Sequence, residues 1–290
     1  MSLDQSEYVE KARRRLRAAM PVAAEWAYFD HAAVAPLTQP AVDAISRWLR
    51  EAANQGDAVW PEWWQRVQAS RRTAARLIGA APEEIALVAN TTAGVNFVAE
   101  GLDWQSGDNV VTLDDEFPSN LYPWMHLDDR GVETRRVSTD KGRVDYDALA
   151  ARCDQRTRVL TVSWIGYKTG CRRDLKALAS VAEECGALLF VDAIQGVGAF
   201  PLNVRETPVD FLAADGHKWQ LGPEGAGFAY LRRDRLPLLR TVGVGWNSVA
   251  QGPDFDHIAL DLRDTAQRYE GGSQNMAGLI GWGASLELLE

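Results

Sequence analysis

The stretch Arg158–Asp192, RVLTVSWIGYKTGCRRDLKALASVAEECGALLFVD, decides the fold. It opens on RVLTVS (Arg158–Ser163), an apolar run of strand length. In Asp174–Cys185, Leu175, Leu178, Ala179 and Ala182 recur at three and four residues, the spacing of a helix with one buried face. ALLFV (Ala187–Val191) is then a near-continuous apolar run ending at Asp192, as expected of a strand covered on both faces. Strand, helix and strand in this order make a parallel β-α-β unit. Outward from it, Ile85–Ala89, Asn109–Leu113, the weaker Glu133–Val137, Asp210–Ala213 and Gly227–Leu231 read as further strands, and Val95–Leu102 has helical spacing. The predicted class is α/β, a mostly parallel sheet between layers of helices. Such sheets bind ligands at the carboxyl ends of their strands, so the polar residues that follow each apolar run are the ones to examine.

The chain has 290 residues, 46% hydrophobic and 24% charged, the balance of an ordinary globular protein with ample apolar surface to bury. Its formal net charge of −9 argues against nucleic acid or an anionic membrane as partner. The run Arg13, Arg14, Arg15 and Arg17 is short and reads as a solvated helix face. Cys153, Cys171 and Cys185 form no Cys-x-x-Cys pair, which excludes a disulfide framework and any zinc spacing, and no metal is expected. They read as packing residues in or beside helices. The polar, charged opening MSLDQSEYVEKARRR does not resemble a secretory signal, and no apolar run approaches the roughly 20 residues of a spanning helix. The expected location is the cytoplasm.

Three positions carry chemistry. Lys218, in Asp215-Gly216-His217-Lys218-Trp219, follows a predicted interior strand, where burial lowers an amine's pKa and makes it a nucleophile able to form a Schiff base with an aldehyde. Only five of the 31 basic residues are lysine, so the chain otherwise prefers arginine, which cannot lose its proton. A lysine on a solvated loop is the alternative. Asp192 ends the buried ALLFV run, where a carboxylate is costly unless a cation meets it. A pyridinium nitrogen is one such cation, with Gln195 three residues on to hydrogen-bond a ring substituent; helix capping is the other use of such an aspartate. Asn90-Thr91-Thr92-Ala93-Gly94 joins a strand to a helix, a natural anion site or simply a cap. An anion cradle, a strand-end Asp, and a Lys 26 residues later match the requirements of pyridoxal 5'-phosphate.

The sequence resembles the class V aminotransferases, the fold-type I pyridoxal-phosphate family that includes cysteine desulfurases, selenocysteine lyases, isopenicillin N epimerase-like proteins and kynureninase. The resemblance lies in YFDHAAVAP (Tyr28–Pro36), NTTAGVNFVAEGL (Asn90–Leu102), DEFPSNLYPW (Asp115–Trp124), VSWIGYKTG (Val162–Gly170), VDAIQGVG (Val191–Gly198), DGHKWQLGPEGAGFAY (Asp215–Tyr230) and RYEGGSQN (Arg268–Asn275), which span nearly the whole chain in order. It implies a three-layer α/β/α sandwich and an amino-acid substrate. Residues 1–25 would be an N-terminal segment, 26–270 the cofactor-binding large domain, and 271–290 the start of a helix leading to a small domain that the chain lacks. By resemblance Lys218 is catalytic, Asp192 pairs with the ring nitrogen and Gln195 with the ring hydroxyl side. Thr91, Thr92 and His217 contact the phosphate, and Ala33 lines the substrate side. Ser273 reaches the phosphate of a neighbouring subunit, which implies a homodimer with shared sites.

Two residues depart from the family pattern. Phe117 stands at the ring-stacking position, histidine in the desulfurases, and can stack but not carry a proton. Asp215 replaces a serine among the cofactor-binding positions; an acid there would repel a phosphate, so it is expected to face a water or a cation. The carboxylate-binding arginine and the nucleophilic cysteine of the family's small domain are not located. The resemblance therefore implies chemistry at the substrate α-carbon, either transamination or C–S and β-elimination such as cysteine desulfuration. Amino-acid epimerisation, or cofactor binding without turnover, is the alternative.

Rival α/β functions find no support. Gly196-Val197-Gly198 comes late and lacks the third glycine of a dinucleotide fingerprint, no Gly-Lys-Ser/Thr follows a glycine-rich loop, and no Gly-x-Ser-x-Gly elbow exists. The cluster Trp60, Trp63 and Trp64 reads as packing or dimer contact, or as a segment that crosses to a partner's site.

Overall fold

Residues Arg158–Asp192 fold as read: a strand, a helix whose Asp174 carboxylate accepts the N–H groups of Lys176 and Ala177, and a second strand in parallel register with the first. The computed structural model describes residues 5–290. In chain order its main elements are α1 (Gln5–Ala18), α2 (Gln39–Gln55), α3 (Trp60–Leu77), β1 (Ile85–Val88), α4 (Thr91–Ala99), β2 (Asn109–Leu113), α5 (Tyr122–Met125) and β3 (Glu133–Val137). They continue with α6 (Tyr146–Arg152), β4 (Thr157–Ser163), α7 (Leu175–Cys185), β5 (Leu188–Asp192), β6 (Phe211–Asp215), β7 (Gly227–Leu231) and α8 (Met276–Leu286).

The strands form one seven-stranded sheet in the order β1-β7-β6-β5-β4-β2-β3. All pairs are parallel except the two made by β7, which runs against both β1 and β6. The reason is the connection: residues 216–226 return directly from β6 to β7 without a crossover helix, so the chain must reverse. Successive strand residues point to opposite faces, and the core divides accordingly. Leu160, Val162, Leu189, Val191 and Leu212 pack with α3, α7 and α8 on one face. Val159, Phe190, Phe211 and Ala213 pack with α4 and Trp124 on the other, completing the three layers. Fully burying one such side chain stabilises the fold by about 1.5–3 kcal/mol.

Boundaries moved where a cap or an extra strand residue decided them. The helix expected at Val95–Leu102 begins at Thr91, because Asn90 Oδ1 accepts the N–H of Ala93 at 2.9 Å and starts it earlier. Strand β6 runs two residues past Ala213, so Asp215 belongs to the strand and not to the turn after it. Helix α8, capped by Asn275, is seated in the core against α2 and α3, with Leu279, Ile280, Trp282 and Leu286 buried. Arg13, Arg14, Arg15 and Arg17 lie on the exposed face of α1 as read. Trp63 is buried beside Trp48 and donates to Glu51, while Trp60 stacks on Trp64. No helix among the described residues is long and apolar enough to cross a membrane.

Candidate active site

The carboxyl ends of β4, β5 and β6 lie side by side, Ser163 opposite Asp192 and Asp192 opposite Ala213. Asp192 is the last residue of β5 and only 3% exposed. Among the described residues its carboxylate makes a single hydrogen bond, accepting the Ile194 N–H at 3.2 Å. Burial pushes its pKa up to about 7, and the neighbouring Glu116 charge adds to this, against the opposing Ile194 N–H, Lys218 and Arg173. A buried acid so poorly compensated lacks the cation that would offset its burial.

Lys218 is half-buried, three residues beyond the end of β6. Burial lowers its pKa, opposed by the charges of Asp192 and Asp215. Its amine makes no hydrogen bond or ion pair among the described residues, and it lies 5.7 Å from the centroid of the Phe117 ring. Phe117 remains 41% exposed and meets Tyr167 edge-on at 5.2 Å, so one of its faces is open to a flat ligand.

The residues expected to cradle an anion, Thr91 and Thr92, lie at the start of α4. Helix α4 can approach β6 because residue 94 is glycine: a Cβ there would come within 2.6 Å of the Ala213 Cβ. The close seat lets the Thr91 hydroxyl accept the Asp215 N–H at 3.0 Å. Thr92 is half-buried beside it, and four residues later Asn96 Nδ2 donates back to the Thr92 carbonyl at 2.9 Å.

Asp215 turns onto its own neighbours: its Oδ1 accepts the Gly216 N–H at 2.7 Å and its Oδ2 lies 2.9 Å from His217 Nδ1, an imidazole that becomes a cation when protonated. Gln195 is also already engaged: Nε2 donates to the Ala32 carbonyl and Oε1 accepts from Trp219 Nε1, at 2.9 and 2.8 Å. It clamps the 28–36 segment, which the Ala35 N–H ties to the His217 carbonyl at 2.7 Å. That clamp brings exposed Ala33 to the rim of the site. Ser273 lies exposed on the loop before α8, lining a hollow with Val88 and Ala89, the residues just ahead of Asn90 and Thr91.

Sequence reasoning missed three participants. Buried Glu116 accepts from the Ser163 N–H and hydroxyl, from Asn120 and from Arg173. Arg173 also holds Asp115 at 2.8 Å, and together they form a charged floor beneath Asp192. Glu116 immediately precedes Phe117 in a motif already singled out, and that was its one signal. The third is His31, stacked on Trp219 at 5.7 Å with Tyr28 against its edge, and lowered in pKa by burial. It lines a cavity of about 480 Å³ with Trp26, Tyr28 and Phe29. The cysteines are half-exposed rather than fully buried: Cys153 and Cys185 close α6 and α7 at the amino edge of the sheet, and Cys171 lies in the β4–α7 loop. The Cys153 thiol, beside Cys185, is pushed up to about 12 by burial.

The donor set fits a ligand with three parts: an electrophile for the Lys218 amine, a ring cation for Asp192, and an anion for Thr91, Thr92 and His217. The family model for class V aminotransferases matches residues 27–290. A probable cysteine desulfurase of Methanothermobacter thermautotrophicus is 34% identical over 279 residues, covering 94% of this chain and 69% of that protein. Two solved structures of C-DES superpose with a TM-score of 0.87, covering about three-quarters of that chain. One is a lysine variant with glycine covalently linked to its PLP cofactor, 25% identical over 94% of this chain and covering 73% of that one. The other is the cystine C–S lyase with its product cysteine persulfide, 26% identical over 93% of this chain and covering 73% of that one.

Proposed function

Because the chain belongs to the class V aminotransferases, pyridoxal-phosphate-dependent enzymes, we propose that it cleaves the carbon–sulfur bond of a sulfur amino acid, cysteine or its disulfide. The observation that carries the reading is the pairing at the strand ends: an unbonded, half-buried Lys218 amine near a buried Asp192 that has one hydrogen bond. Bound there, pyridoxal phosphate supplies an aldehyde for an amine and a protonated ring that withdraws electrons from the substrate α-carbon.

Asp192 would hold the ring nitrogen and its proton, Phe117 one ring face, and Thr91, Thr92 and His217 the phosphate. Lys218, its charged form disfavoured by burial, would take the proton from the α-carbon. Phe117 cannot donate or accept a proton, which leaves Lys218 and His31 as the titratable side chains there, and we assign proton movement at that carbon to Lys218. The 28–36 segment, clamped by Gln195, positions Ala33 and His31 on the substrate side. We read the enzyme as a cytoplasmic homodimer. The exposure of Ser273 on the loop before α8 supports this, since it leaves the hydroxyl accessible to a second copy's phosphate.

The test is an absorbance spectrum and a product panel. Loaded protein should show a visible band bleached by borohydride and absent in Lys218→Ala. With cysteine or cystine, sulfide or persulfide should appear; keto acid without sulfur release, or racemised product alone, overturns the assignment.

A further inference from the structure

Asp215 sits where a buried acid beside an anion site should be harmful, and its contacts explain why it is not. Both carboxylate oxygens are committed, one to the Gly216 N–H and one to His217 Nδ1. The residue is 4% exposed, so neither oxygen is left facing the cradle as a bare charge. Its backbone is equally fixed: the N–H is given to the Thr91 hydroxyl at 3.0 Å and the carbonyl accepts from Gln220 Nε2 at 3.1 Å.

Both side-group bonds dictate proton positions. A carboxylate only accepts, so the proton between Asp215 and His217 belongs to Nδ1. Nε2 is then the ring nitrogen left for a ligand. A phosphate is also an acceptor, so binding it through Nε2 demands a proton on both nitrogens, an imidazolium whose charge Asp215 balances. The Thr91 hydroxyl, already accepting from Asp215, has its one proton free to give.

We propose that Asp215 is a positioning residue whose carboxylate aims one phosphate donor, His217 Nε2, without touching the phosphate itself, while its backbone N–H orients the Thr91 hydroxyl whatever the side chain. The inference rests on the pyridoxal-phosphate reading above and adds to it how this chain replaces a serine ligand by an acid.

The test compares Asp215→Asn and Asp215→Ser with wild type. Affinity is measured for pyridoxal 5'-phosphate and for pyridoxal, which lacks the phosphate. Losing a charge-assisted hydrogen bond should weaken the phosphorylated form about 10- to 100-fold and leave pyridoxal nearly unchanged. A double variant with His217→Gln should lose no more than His217→Gln alone. In ligand-free wild type, nitrogen-15 spectra of the His217 ring, assigned by its loss in His217→Gln, should place the neutral ring's proton on Nδ1. Adding inorganic phosphate should protonate Nε2, and Asp215→Ser should remove the Nδ1 preference. Equal or tighter binding of pyridoxal phosphate in the variants, equal weakening of both ligands, or a proton on Nε2 alone overturns the proposal. Failure of wild type to take up pyridoxal phosphate at all sinks the parent reading as well.

Discussion

Strands β5 and β6 carry a buried aspartate near each end of the sheet, and the two are treated in opposite ways. Asp210, just before β6 at the amino edge, accepts the Leu189 N–H at 2.8 Å and ion-pairs with Arg232 and Arg235, each at 2.9 Å. Asp108 at the same edge is met by Arg156 and Arg158 at 3.0 and 2.9 Å. Asp192, at the carboxyl edge, has one backbone N–H at 3.2 Å and no cation in hydrogen-bond contact. All three are nearly fully buried, so burial alone does not mark a functional acid. What separates them is compensation: Asp108 and Asp210 meet the protein's own arginines, whereas Asp192 has none in contact, the place we propose for a ligand's cation.

The largest effect should come from breaking the uncompensated side. Asp192→Asn should lower turnover at least about 100-fold, on the scale of removing one preorganised electrostatic partner. The same change should stabilise the ligand-free protein, with a definite pH sign. The folded pKa, about 7, lies above the ordinary carboxylate value. Below about pH 4 both folded and unfolded chains hold the proton and the acid costs nothing. As pH rises toward 7 only the unfolded chain releases it, so wild-type stability falls relative to the variant, by a few kcal/mol at about 1.4 kcal/mol per pKa unit. Urea unfolding at about pH 3 and about pH 8, roughly 1 unit outside each pKa, measures this. Parallel stability for the two proteins at both pH values removes the contrast. The mirror experiment, Asp210→Asn, should cost roughly 2 kcal/mol, tempered because both arginines are partly exposed, and leave turnover per folded molecule unchanged.

The same contrast explains what the sequence could reveal. Asp192 and Lys218 were legible because each ends or follows an apolar run, and a run's end is a local signal. The strands were legible for the same reason, but the reversal of β7 was not: a strand buried on both faces shows no alternation that tells its direction. Glu116 and Arg173 stand 57 positions apart and Thr91 and Asp215 124 apart, so no periodicity links them. Asp215 shows the limit most plainly. Its charge was visible and its conflict with an anion was visible, but which partner resolves the conflict depends on a rotamer, and His217 two residues on was one choice among several.

Gln195 offers the finest separation of the two edges. Trp219→Phe removes the N–H that holds Gln195 Oε1 while keeping an aromatic face for His31. One neutral hydrogen bond is worth about 1 kcal/mol, and its loss should loosen the 28–36 segment rather than the sheet. The Ala35 amide, which donates to the His217 carbonyl, should then exchange with solvent about fivefold faster, the equivalent of that energy. The Leu189 amide, donated to Asp210 at the opposite edge, should keep its protection, because no part of the clamp touches it. Equal acceleration at both amides would mean that Trp219 supports the whole sheet, and that the two edges are not energetically separate.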